Sequence, residues 1–96
     1  MKLPELKAIQ LAELFSALSD ASRVRIISLL IEGEMSVGAL AEELKMTESA
    51  VSHQLRGLRQ MKLVRTRKDG RQVYYALDDG HVIELFQRGL DHVRHG

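Results

Sequence analysis

The chain has 96 residues, 45% of them apolar and 28% charged, a composition for one modest globular core and not for a disordered chain. It has no cysteine, which removes disulfides, cysteine nucleophiles and thiolate metal sites. No apolar run approaches the roughly 18 residues of a membrane span, and the start Met1-Lys2-Leu3-Pro4-Glu5 lacks the apolar stretch of a signal peptide, so a cytoplasmic location is the expectation.

Along the chain, Pro4 suits a first helical turn. Leu6, Leu11, Leu14, Phe15 and Leu18 then recur at near-helical spacing, predicting a helix over 4–18. Asp20 caps a second helix whose apolar surface is Val24, Ile26, Ile27, Leu30 and Ile31, and Gly33 ends it. Ser36 caps a short third helix holding Leu40 and Leu44, Lys45-Met46 breaks it, and Thr47 caps a fourth running to about Met61 with Val51, Leu55 and Leu58 inward. Two short helices across a tight break suggest a helix-turn-helix.

The period changes over 63–77. Leu63-Val64-Arg65-Thr66-Arg67 and Gln72-Val73-Tyr74-Tyr75-Ala76-Leu77 flank Asp69-Gly70, a favoured pair for a tight hairpin turn. Asp78 or Asp79 starts a last helix. The order helix-helix-helix-helix-strand-strand-helix reads as a mainly α (α+β) winged helix-turn-helix, one domain over 1–96.

The net charge of +1 hides an uneven distribution. Seven basic residues from Arg56 to Arg71 face the single acid Asp69, a local +6, placed where a winged domain needs phosphate contacts. The fourth helix opens Thr47-Glu48-Ser49-Ala50-Val51-Ser52-His53-Gln54-Leu55-Arg56. A recognition helix reads base edges from its N-terminal turns. Gln54 can pair with adenine and Arg56 with guanine or phosphate; Thr47, Ser49, Ser52 and His53 complete the candidate reading face, with Arg67, Lys68 and Arg71 on the hairpin. The implied partner is double-stranded DNA, with no membrane and no small organic substrate. No phosphate loop, open metal site or Ser-His pair argues for an enzyme.

Three of the four histidines fall in the last sixteen residues, as Asp79-x-His81, ten residues, then His92-x-x-His95. On a helix His81 and His92 differ by about 20° in direction but by about 16 Å along the axis, so one chain cannot bring both to one ion. His92 and His95, three apart, can share one. Asp79 and His81 converge only if Asp79 lies at the cap, outside helical geometry. An antiparallel pair of these helices across a dimer axis joins the halves into two sites per dimer, at the rim of the apolar face of Val82, Ile83, Leu85, Phe86, Leu90 and Val93. Three imidazoles and a carboxylate suit tetrahedral zinc with no position left for water; cobalt is its surrogate. Glu84, in His81-x-x-Glu84, and Asp78 are rival ligands. Nickel or cobalt as the natural input would need about six donors, and a regulator without metal input is the further alternative.

The run Ser49-Ala50-Val51-Ser52-His53-Gln54-Leu55 resembles the recognition helix of the ArsR/SmtB family of metal-responsive repressors. Leu18-Ser19-Asp20-Ala21-Ser22-Arg23 and Gly70-Arg71-Gln72-Val73-Tyr74-Tyr75-Ala76-Leu77 resemble its second-helix opening and its wing. The likeness spans roughly residues 11 to 95. It implies a homodimer, joined through first and last helices, on a partly palindromic operator that the apo form binds. It also implies zinc-type ligands at Asp79, His81, His92 and His95, and a bond from His92 toward the end of the recognition helix near Lys62. The family's cysteine site has no counterpart here.

Overall fold

The computed structural model describes all 96 residues, Met1–Gly96. Its elements are α1 (Glu5–Ala17), α2 (Ala21–Leu30), β1 (Met35–Ser36), α3 (Val37–Leu44), α4 (Glu48–Gln60), β2 (Val64–Asp69), β3 (Gln72–Leu77) and α5 (Gly80–His95). The expected helices and hairpin are all present. A two-residue strand, β1, was not expected, being too short to show an alternation of period two.

Four caps act as the residue types predict. Asp20, Ser36, Thr47 and Asp79 each have extended backbone, and each side chain accepts a backbone N–H of the first turn it precedes. The helix ends are less regular. The end of α2 tightens past Leu30, Glu32 and Gly33 N–H reaching the Leu29 and Leu30 carbonyls (both 3.2 Å), and Gly33 (φ 147) redirects the chain two residues beyond the cap Ile31. At the ends of α3 and α4 the left-handed position is taken by a lysine, Lys45 (φ 55) and Lys62 (φ 60), where glycine is the usual occupant. Met46 N–H reaches back to the Ala41 carbonyl (3.0 Å) and Leu63 N–H to the Leu58 carbonyl (2.9 Å), so both ends close by the six-to-one bond that such a residue permits.

The sheet is antiparallel in the order β1-β3-β2. Asp69 pairs with Gln72, so the tip of the hairpin is Gly70-Arg71, one residue later than the Asp69-Gly70 turn expected from sequence. Only Gly70 of this pair has positive φ (63), the pattern of a turn with glycine first.

The core is where α2, α3 and α4 meet the base of the hairpin. Ile26 and Ile27 of α2, Leu40 of α3 and Val51, Leu55 and Leu58 of α4 are fully buried. Leu63, Val64, Leu77 and Val82 close it below. Only 14 of 96 residues are buried, because α1 and α5 contribute one each, Ala17 and Val82. Leu14, Ile83 and Phe86 are half-buried against the core, while other apolar side chains of the two helices stand in the open: Leu6 is 64%, Phe15 52% and Val93 73% exposed. Contiguous exposure on that scale marks an interaction surface. An apolar groove runs between these helices, lined by Phe15, Leu18, Val24, Phe86, Leu90 and Val93 among others. No helix is long and apolar enough to cross a membrane.

Candidate nucleic-acid interface and metal centre

Packing determines which side of α4 is available. Val51, Leu55 and Leu58 are buried in the core, and Ser49, His53, Arg56 and Gln60 are exposed along the opposite side, three or four residues apart and therefore on one face. Thr47 caps the helix through Ala50 N–H (3.0 Å), which directs its hydroxyl to the backbone. Ser52 is half-buried at the edge of the face.

Gln54 departs from the expected reading face. It is half-buried, its Oε1 accepts the Nε–H of Arg23 at 2.8 Å, and its amide nitrogen donates to Asp20 Oδ2 at 3.4 Å. Those partners lie 31 and 34 residues away in sequence, so no local pattern marked them.

Arg67 is likewise engaged within the protein. It shares the outer face of the sheet with its cross-strand partner Tyr74, and its guanidinium lies 4.8 Å from that ring. It forms a two-pronged ion pair with Glu34, just before β1, Nε to Oε2 being 3.1 Å. Asp69 stands 3.8 Å away. The hydrogen bond from Arg67 holds the Glu34 carboxyl below its usual range, and the same bond raises Arg67. Lys68 and Arg71 are exposed at the tip, so they carry the hairpin's free positive charge, together with Arg65 at its base.

Arg65 has a role not foreseen from sequence. Its guanidinium donates to the Asp78 carbonyl at 2.9 Å, while Asp78 N–H donates to the Leu63 carbonyl at 3.0 Å. The backbone entering α5 is thus held against the start of β2, and Asp79 follows in fixed position. Asp79 is extended (φ −150, ψ 171) and caps α5 through His81 N–H (2.8 Å) and Val82 N–H (3.3 Å). This is the non-helical geometry that Asp79 and His81 require to converge: His81 Nδ1 stands 3.5 Å from Asp79 Oδ1. Asp78 takes no part in the cap.

At the other end of α5, His95 Nδ1 lies 2.8 Å from the Asp91 carbonyl. A carbonyl only accepts, so in this contact Nδ1 is the donor, and Nε2 is the ring nitrogen left without a partner in the chain. That is the arrangement of a metal-ligating histidine steadied by a backbone bond. His81, His92 and His95 are all exposed. No three metal-binding side chains converge within the chain. One carboxylate and three exposed imidazoles, with Asp79 and His81 already adjacent, are the donor types that suit a four-coordinate zinc ion.

Residues 20–66 match the model of a family described as bacterial regulatory protein, arsR family. The chain is 51% identical over 88 residues to a transcriptional repressor SmtB homolog of Synechocystis, covering 92% of this chain and 67% of that protein. It is 39% identical to a cadmium resistance transcriptional regulatory protein CadC homolog of Staphylococcus aureus, over 90% of this chain and 72% of the other. Among solved structures it is similar to the homodimeric winged helix-turn-helix DNA-binding domain Mb0332 of Mycobacterium bovis, with TM-score 0.85 and 29% identity over 98% of this chain and 90% of that one.

Proposed function

We propose, from the premise that this chain belongs to the arsR family of bacterial regulatory proteins and is a transcriptional regulator and not an enzyme, that it is a zinc-responsive repressor released from its operator by the metal. Its unit is a homodimer on double-stranded DNA. In our reading, Ser49, Ser52, His53 and Arg56 of α4 face the major groove, with Thr47 at the helix start and Lys68 and Arg71 on the wing against phosphate. Arg67 and Gln54 act at one remove, holding the wing and the helix in place.

The observation that carries the metal reading is the cap of α5. Asp79 leaves helical geometry and sets its carboxylate beside His81, while His95, a full helix length away, presents a free Nε2. Across a dimer of antiparallel α5 helices, Asp79 and His81 of one protomer complete a site with His92 and His95 of the other, two sites per dimer. Glu84, exposed on the same helix, remains outside the ligand set. Zinc bound there supplies a crosslink between the two α5 helices. The open apolar faces of α1 and α5 are the surface over which the protomers meet.

The metal-free dimer presents two α4 helices to successive major grooves. Restraining α5 against its partner changes the angle between the protomers and lowers operator affinity. Such coupling is typically about 1–3 kcal/mol and is reciprocal, so DNA weakens zinc binding by the same factor. The test is operator binding followed by fluorescence anisotropy, with and without zinc, on the wild type and His81→Ala. Zinc should weaken wild-type binding and leave the variant unaffected. Unchanged wild-type affinity, or a full zinc response in the variant, refutes the reading.

A further inference from the structure

One guanidinium joins three helices. Arg23 stands in the first turn of α2 and is partly buried. Its Nε–H donates to Gln54 Oε1 of α4 at 2.8 Å, and Nη1 donates to the carbonyl of Ala17, the last residue of α1, at 3.1 Å. The third nitrogen, Nη2, lies 3.0 Å from where a β-carbon on Gly57 would stand, so the guanidinium crosses α4 at the one turn without a side chain. Gln54 closes the circuit by donating to Asp20 Oδ2 (3.4 Å), whose other oxygen caps α2 through Ser22 N–H (2.8 Å).

This circuit matters because of what surrounds it. Ala17, its last residue, is the one fully buried residue of α1; Leu14 is half-buried against the core, and Leu6, Ile9, Leu11 and Phe15 are exposed. The Arg23–Ala17 bond is therefore a polar tie from α1 directly to the body that carries α4. A planar guanidinium presents its donors in a rigid fork, so partners bonded to different nitrogens are held in one relative geometry.

We infer that Arg23 is a positioning residue that holds α4 to the α1–α2 corner, making the angle of the reading helix depend on where α1 is placed, and that Gln54 serves this latch and not base recognition. The inference rests on the DNA-binding reading above and adds a route from the dimer surface to the reading helix. Gly57 is its third part: a side chain there displaces the guanidinium.

The probe is the DNA duplex enriched from a randomised library on the wild-type dimer, measured by anisotropy beside sedimentation and thermal unfolding. Arg23→Ala and Gln54→Ala should each weaken binding about tenfold or more, the scale of one charge-assisted hydrogen bond. The loss should be uniform over duplexes carrying single base changes, and the double variant should lose no more than either single one. Arg23→Lys, which keeps the charge but lacks the fork, should behave as Arg23→Ala. Because Arg23→Ala could loosen the fold itself, Gly57→Leu is the control. Leucine is the better helix former, so melting temperature and dimer mass should hold while operator affinity falls, and the fall should vanish in an Arg23→Ala background. Loss of discrimination at one base pair in Gln54→Ala alone makes Gln54 a base reader and overturns the latch. So do additive effects of Arg23→Ala and Gln54→Ala, or an undiminished affinity in Gly57→Leu. Failure to enrich any duplex overturns instead the DNA-binding reading on which the latch rests.

Discussion

Two variants that each destroy half of every metal site should repair one another when mixed. His81 and His92 are eleven residues apart on α5, about 16 Å along the helix, so a site made of both needs two chains. Asp79→Ala/His81→Ala removes one half and His92→Gln/His95→Gln the other; neither homodimer should bind zinc tightly. After unfolding and refolding an equal mixture, about half of the dimers are mixed, as random pairing of two chains requires. Each mixed dimer has one site with all four ligands and one with none. The mixture should therefore bind about a quarter of the wild-type zinc, roughly one ion for every two dimers, from the same symmetry count. Cobalt(II) titration reads this directly, since its visible absorption reports four-coordinate geometry and its endpoint the number of sites. Zero capacity in the mixture, with full capacity in the wild type, refutes the shared site. So does retention of half the wild-type capacity by either homodimer, which would place each half-site's ion within one chain.

Three further outcomes follow from the fold. Leu55→Ala empties a fully buried position where α4 meets the core, and should cost about 2–5 kcal/mol in denaturant unfolding at fixed protein concentration; a loss below about 1 kcal/mol would contradict the packing described. Lys45→Gly relieves a side chain held at φ 55 and should raise stability by about 0.5–1 kcal/mol, whereas a loss would mean that the lysine side chain holds the α3–α4 turn. Glu34 is held below the ordinary 4.5 by Arg67. Its contribution is thus complete above the unfolded value and disappears as pH falls through the lowered one. Carboxyl NMR of Glu34 should titrate below 4.5 and move up in Arg67→Ala; a midpoint at or above 4.5 in the wild type would break the link between wing and β1.

Much of this protein is legible in its sequence because the signals are local. The caps Asp20, Ser36, Thr47 and Asp79 act within three residues of themselves, and the helical and strand periods of the apolar residues are read over a single element. Even the spacing that keeps His81 and His92 of one chain about 16 Å apart follows from helical rise alone. The left-handed stops at Lys45 and Lys62 were hidden because lysine carries no preference for that conformation. The hairpin tip moved by one residue because the register of β2 and β3 is decided by which side chains reach the core, with Val64 opposite Leu77.

Tertiary structure alone decided which polar residues of α4 and the hairpin are engaged within the protein. Sequence places Gln54 and Arg56 in the same opening turns and Arg67 beside Lys68, with nothing to separate them. Folding brings Arg23 to Gln54 and Glu34 to Arg67 from 31 and 33 residues away. Half-buried Arg23 and Gln54 take the partners that packing offers, while Arg67 and Glu34 meet on the exposed surface because the β1-β3-β2 order sets β2 and the start of β1 on either side of β3. Composition and period therefore determined the architecture and the placement of the histidines on α5, while the three-dimensional meeting of distant polar groups determined that Gln54 and Arg67 are engaged within the protein and Arg56, Lys68 and Arg71 are not.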